Sequence, residues 1–156
     1  MGPLQQRIIA ASLAGAVGMA GVLVTNFEGR SLVAYLDPVG IPTICEGVTR
    51  GVRLDQTKSP AQCDALLQQE LSIAMAGVDR NVTRPLPETR RAALASFVYN
   101  VGEPQFKAST LLRKLNAGDV RGACAELSRW VYAKGTKLKG LVNRRAAERE
   151  LCEVGL

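Results

Sequence analysis

Histidine is missing altogether from this 156-residue chain, and that absence removes whole classes of chemistry. No Ser-His-Asp triad, no Cys-His nucleophile pair and no His-ligated zinc can be built from it. Cell-wall amidases and peptidases that rest on such sites are excluded with them. Aromatic residues make up only 4%, too few for a platform on which nucleic-acid bases could stack. The formal charge of +6 therefore finds no recognised nucleic-acid fold to serve. Charge is also lacking locally, since none occurs from Ile8 to Phe27, between Arg7 and Glu28. The four cysteines include no CxxC pair and none lies in residues 1–27. No repeat is present, and low complexity is confined to the Ala/Gly-rich N-terminus.

What remains is carboxylate chemistry on one compact domain with an ordinary globular composition, 47% hydrophobic and 22% charged. Glu28, Asp37 and Thr43 stand at the spacing E-x8-D-x5-T. Asp37-Pro38-Val39-Gly40 reads as a turn, with Pro presetting φ at the second position and Gly relaxing the fourth. A helix ending near Glu28 and a hairpin carrying Asp37 could aim two carboxylates into one cleft, the minimal equipment for cleaving a glycosidic bond. Read by spacing alone, two acids nine residues apart are more often solvated surface charges.

The uncharged run of twenty residues spans about 30 Å as a helix, the thickness of a bilayer's hydrocarbon core. It is weakly hydrophobic. Ile8, Ile9, Leu13, Val17, Val22, Leu23, Val24 and Phe27 each favour insertion by roughly 0.3–0.6 kcal/mol, and Gly15, Gly18, Gly21, Ser12, Thr25 and Asn26 oppose it. A cleaved signal peptide and a core helix of a cytoplasmic protein are competing readings. Arg7 and the terminal amine supply the cytoplasmic charge of positive-inside topology.

Downstream, residues 34–50 read as two or three short strands with turns at Pro38–Gly40 and near Gly47. Ser59-Pro60-Ala61-Gln62 starts a helix, with Ser as N-cap, Pro at N1 and Gln at N3. Cys63, Leu66, Leu67, Ala74, Met75 and Val78 share a face of it. Pro85-Leu86-Pro87 precedes a helix with the stripe Leu94, Phe97, Val98, Val101. Asn116–Asp119 closes one helix and caps the next. A final helix is expected over about Leu141–Cys152.

Phe27-Glu28-Gly29, Tyr35-Leu36-Asp37-Pro38-Val39-Gly40 and Pro42-Thr43-Ile44-Cys45-x-Gly-x-Thr49 resemble the active-site segment of the phage-type lysozymes. The resemblance continues through Ser96–Gly102, Ser109–Asn116, Ala123-Cys124-x-x-Leu127-x-Arg129-Trp130 and Lys139–Arg145 with Glu148, covering about residues 26–153 in order. It implies an α+β, lysozyme-like fold, with a small hairpin lobe and a larger helical lobe around a cleft. It implies hydrolysis of the β-1,4 bond between N-acetylmuramic acid and N-acetylglucosamine, with inversion and with no cofactor or metal. Glu28 would be the general acid, held protonated by apolar neighbours such as Phe27. Asp37 would activate or position water, and Thr43 would help hold that water. Arg144 or Arg145 would pair with Glu28. Glu46 stands where the family often has a histidine. Trp130, Phe97 and Tyr99 are expected in the core rather than as sugar platforms.

The same resemblance extends to the signal-arrest-release endolysins. It divides the chain into a weak membrane anchor, residues 1–27, and a muramidase domain, residues 28–156. The partners implied are peptidoglycan strands and the inner membrane, with a monomeric enzyme that faces the periplasm and is then released into it. Release would let the N-terminal helix pack on the domain and carry Glu28 into the cleft. Activation by a cysteine from the anchor is closed, because residues 1–27 contain none. An even number of cysteines in an exported chain implies disulfides, for which three pairings exist. The pairs Cys45–Cys63 and Cys124–Cys152 join elements that the family fold brings close. Two other function classes are weighed. A lytic transglycosylase works with one glutamate and no catalytic aspartate, which Asp37 and Thr43 oppose. A non-enzymatic membrane lysis protein needs no paired carboxylates.

Overall fold

A computed structural model describes all residues, 1–156. The N-terminal apolar run is long and apolar enough to cross a bilayer, yet here it is folded against the rest of the chain. It is not one helix. Helix α1 (Pro3–Ala11) ends in a 3-10 turn over Ser12–Ala14, and α2 (Gly15–Glu28) starts afresh. Two features dictate the break. Gly15 adopts φ +67°, a conformation that costs a residue with a Cβ. A Cβ on Gly18 would lie 2.5 Å from the Ala14 Cβ, so only glycine lets the turn pack so tightly. The continuous helix expected over residues 8–27 is therefore corrected. Ala16 N–H, exposed by the break, donates to Glu88 Oε2 at 2.8 Å, so a carboxylate caps the N-terminus of α2 from another helix.

After α2, strands β1 (Ser31–Leu36) and β2 (Pro42–Cys45) form an antiparallel hairpin. Tyr35 faces Thr43 in its register, and a bulge lies between Ser31 and Tyr35. The Asp37–Gly40 turn closes as read, with Gly40 N–H donating to the Asp37 carbonyl at 2.9 Å. Ala34, Ile44, Cys45, Val48 and Cys63 make a small core of their own for this lobe.

Helix α3 (Pro60–Asn81) begins with the expected capping box between Ser59 and Gln62 and runs from the small lobe into the large one. There follow α4 (Glu88–Val101), α5 (Glu103–Lys107), α6 (Thr110–Asn116), α7 (Val120–Glu126) and α8 (Lys139–Cys152). Asp119 caps α7 by accepting from Gly122 N–H. Helix α4 is buried on all sides from Ala92 to Val98, not along one stripe, because α2, α3 and α8 surround it. The large core joins Met19, Ala20, Leu23 and Val24 of α2 to Leu71, Leu94, Phe97, Phe106 and Leu111.

A second hairpin, β3 (Tyr132–Ala133) and β4 (Thr136–Lys137), precedes α8 and has no counterpart in the sequence reading. Both disulfides have the expected pairing. Cys45–Cys63 ties β2 to α3, and Cys124–Cys152 ties α7 to the end of α8, leaving no free thiol. The α+β architecture, with a small hairpin lobe and a larger helical lobe, agrees with the expectation.

Candidate active site

Glu28 is the last residue of α2, and its position follows from that helix being seated in the core. Gly29, at φ +68°, ends the helix. The Glu28 carboxyl is partly buried, with 22% of its side chain exposed. Arg144 Nη1 donates to Glu28 Oε1 at 2.6 Å. Oε2 is turned towards Gly47, where an added Cβ would lie only 2.8 Å away. Gly47, at φ +74°, thus supplies both the turn after β2 and the room Glu28 needs.

The choice between the two neighbouring arginines is settled by what surrounds each. Arg144 also donates through Nε to Glu148 Oε1 at 3.1 Å and through Nη2 to the Ser96 carbonyl at 3.1 Å. Arg145 does not reach Glu28. It binds Glu148 Oε2, the Asn100 side-chain oxygen and, at 3.0 Å, the Trp130 carbonyl, with its guanidinium 4.9 Å from the centre of the Phe97 ring. Burial pulls the Arg145 guanidinium below its ordinary range, while Glu148 pulls the other way. Glu148 is fully buried, takes both arginines and accepts from Ser96 Oγ at 2.7 Å. A buried carboxylate that accepts three hydrogen bonds, two on Oε1 and one on Oε2, holds its partners in one geometry. Arg144 is thereby aimed before anything binds.

Asp37 is half-buried at the hairpin turn, its Oδ1 accepting from Val39 N–H and Ile41 N–H, each at 2.9 Å. Oδ2 takes no hydrogen bond from the protein. Thr43 is buried on β2 and donates its hydroxyl proton to the Ile41 carbonyl at 2.9 Å, leaving oxygen lone pairs as acceptors. The turn backbone thus rigidly sets both side chains.

A cleft of about 400 Å³ lies between the Gly47–Arg50 turn of the small lobe and helices α3 and α4; Gly47, which touches Glu28, is in its wall, whereas Glu28, Asp37 and Thr43 do not themselves line it. Tyr99 lines it and also packs, partly buried, against the large core, as Trp130 does; Phe97 lies inside that core, with its ring against the Trp130 ring edge at 5.1 Å. The Tyr99 hydroxyl donates to the Glu46 carbonyl at 2.7 Å. Burial first, then Glu28, Glu46 and Glu70, push its phenol above the ordinary range, so it stays a donor. Glu70, with Arg50 at 3.3 Å, stands in the same wall. Sequence reasoning missed Tyr99 as a polar group, and Ser96, Asn100 and Glu148 as the frame behind Arg144. A Glu four residues after an Arg on one helix was the available signal.

The phage lysozyme family model matches residues 25–148, which include Glu28, Asp37, Thr43, Arg144 and Glu148. A SAR-endolysin of Enterobacteria phage PA-2 is 43% identical over 160 residues, covering 97% of each chain. A SAR-endolysin of Enterobacteria phage P21 is 42% identical with the same coverage. Among solved structures, the muramidase domain of SpmX from Asticaccaulis excentricus superposes with a TM-score of 0.80 at 31% identity, over 86% of this chain and 94% of that one. With its two-lobed fold, its cleft and an acid held by arginine at the end of α2, the chain belongs to the phage lysozyme family, and is a lysozyme-type glycosidase among the endolysins.

Proposed function

We propose that this enzyme hydrolyses the β-1,4 bond between N-acetylmuramic acid and N-acetylglucosamine in peptidoglycan, with Glu28 as acid and Asp37 as base. The observation that carries the reading is the asymmetry of the Glu28 carboxyl. Arginine has donors only, so Arg144 Nη1–H points at Oε1, which leaves Oε2 as the oxygen from which a proton would be delivered. That oxygen faces Gly47 in the cleft wall. From there the proton passes to the leaving glycosidic oxygen as the bond to the anomeric carbon breaks. Asp37 Oδ2 takes a proton from the attacking water, and the lone pairs of Thr43 Oγ1 accept a hydrogen bond that orients it. The new bond forms on the face opposite the leaving group, which inverts the anomeric centre and needs carboxyls roughly 6.5–9.5 Å apart.

In the cell, residues 1–27 hold the enzyme in the inner membrane, facing the periplasm, until extraction lets α1 and α2 fold onto the large lobe. While α2 is in the bilayer, Glu28 is at the membrane surface, and the core around Leu23 and Val24 lacks one of its walls. Fractionation of expressing cells before and after membrane depolarisation tests this. The protein is expected to move from membrane to soluble periplasmic fraction, and enzyme that is soluble throughout would contradict it.

Digestion of purified peptidoglycan tests the chemistry. Hydrolysis yields reducing N-acetylmuramic acid ends; 1,6-anhydro ends would instead assign a lytic transglycosylase. Glu28→Gln should fold normally and lose turnover by at least about 10³-fold, because the amide cannot donate the proton. Asp37→Asn should fall nearly as far.

A further inference from the structure

Arg30 and Glu46 flank Glu28 in two different senses. Arg30 follows it by two residues in the chain. Glu46 precedes Gly47, the residue against which Glu28 Oε2 rests. Arg30 Nε donates to Glu46 Oε1 at 2.5 Å, and Arg30 Nη2 donates to Asp64 Oδ1 of α3 at 2.6 Å. The Glu46 carbonyl is held separately by the Tyr99 hydroxyl. Glu46 is therefore fixed through its side chain on one side and its backbone on the other. Gly47, next in the chain, has little freedom left.

Stability alone does not account for this pair. Glu46 is fully buried, and its Oε2 has no hydrogen-bond partner. A buried carboxylate with an idle oxygen is costly, and an apolar pair of similar volume commonly holds two segments as well or better. What an apolar pair lacks is direction. A charge-assisted bond fixes the distance between the chain after Glu28 and the chain before Gly47, where dispersion contacts would let them slide.

We infer that Arg30 and Glu46 are positioning residues for the reaction, a clamp that holds Gly47 against the proton-bearing oxygen of Glu28. The inference rests on Glu28 being the acid. The clamp closes the space beside Oε2, so the proton is presented to the glycosidic oxygen in one direction. Misplacement of such a group by about 1 Å costs on the order of a hundredfold in rate without changing what is bound.

The test uses the full chain in its released form, with soluble glycan strands as substrate. Arg30→Met/Glu46→Leu is expected to melt at or above the parental temperature, while kcat falls roughly ten- to a hundredfold and KM stays within about twofold. Arg30→Lys, which keeps the charge, should retain more turnover than Arg30→Met. Asp64→Asn, which removes only the exposed partner of Arg30, should keep kcat within about twofold. Glu46→Gln, isosteric and neutral, gives the same kcat reading if the double variant does not fold. A folded double or Gln variant with kcat within twofold of the parent overturns the clamp. So does an Asp64→Asn loss as large as theirs. A parent that releases no reducing ends overturns the reading of Glu28 and the clamp together, whereas a hydrolysing parent isolates the clamp.

Discussion

The two halves of the N-terminal segment differ in composition and in fate, α1 carrying Gln5, Gln6 and Arg7 while α2 has no charge before Glu28. Helix α2 buries Ala16, Met19, Ala20, Leu23 and Val24 in the large core, each at 3% exposure or less. Helix α1 buries only Ile8, and Ile9 and the following Leu13 are 58% and 98% exposed. It lies across the end of α8, above an apolar cavity of about 310 Å³ that Leu4, Ile8, Leu151 and Val154 help to line. Protein packing explains the side chains of α2, whereas it leaves those of α1 and the turn largely unused. A bilayer would use both. Of the two halves, only α2 has apolar side chains that the protein core uses as fully as a bilayer would. That α2 also ends in Glu28 makes the proposed catalytic acid depend on the half that the core needs.

The largest contrast is expected from truncating equivalent apolar side chains in the two helices. Leu23→Ala should cost about 2–5 kcal/mol of unfolding free energy in the released protein, since Leu23 is fully enclosed. Ile9→Ala should stay within about 0.5 kcal/mol, as surface substitutions do. Urea denaturation followed by circular dichroism measures both, and equal losses would abolish the distinction.

A smaller effect is expected at the joint between the halves. Gly15→Ala places a Cβ at φ +67°, 3.0 Å from Glu88 Oε2, and should cost roughly 1–2 kcal/mol. The same substitution suits a continuous membrane helix, so it should also delay release from the membrane fraction. Smaller still, Glu88→Ala removes the carboxylate cap from Ala16 N–H and should cost about 1 kcal/mol. If Glu88→Ala left stability unchanged, the cap would be incidental to the break.

Local signals made parts of this structure legible in the sequence. Ser59, Pro60 and Gln62 carry their helix start within four residues, and Asp37, Pro38 and Gly40 carry their turn in the same way. The break at Ser12–Gly15 was not legible, because the partner that caps it, Glu88, lies 72 residues away. Helix α4 read as amphipathic, but its encirclement by three other helices is a property of the assembled core. Adjacent arginines on one helix point about 100° apart, so periodicity could name Arg144 and Arg145 without saying which one meets Glu28. Strands of two residues, as in β3 and β4, are too short to show an alternation. In the site, Glu28, Asp37 and Thr43 stood out by spacing and by resemblance. The frame of Ser96, Asn100 and Glu148 became visible only with the contacts.

If α2, and not the whole apolar segment, belongs to the active enzyme, two truncations will differ in peptidoglycan hydrolysis, one lacking residues 2–11 and one lacking residues 2–20. The first removes α1 and should keep the fold and most of the specific activity. The second removes Ala16, Met19 and Ala20 from the core and should be poorly folded and nearly inactive. Full soluble activity of the shorter protein would show that the segment is an address alone, and that Glu28 needs no helix behind it.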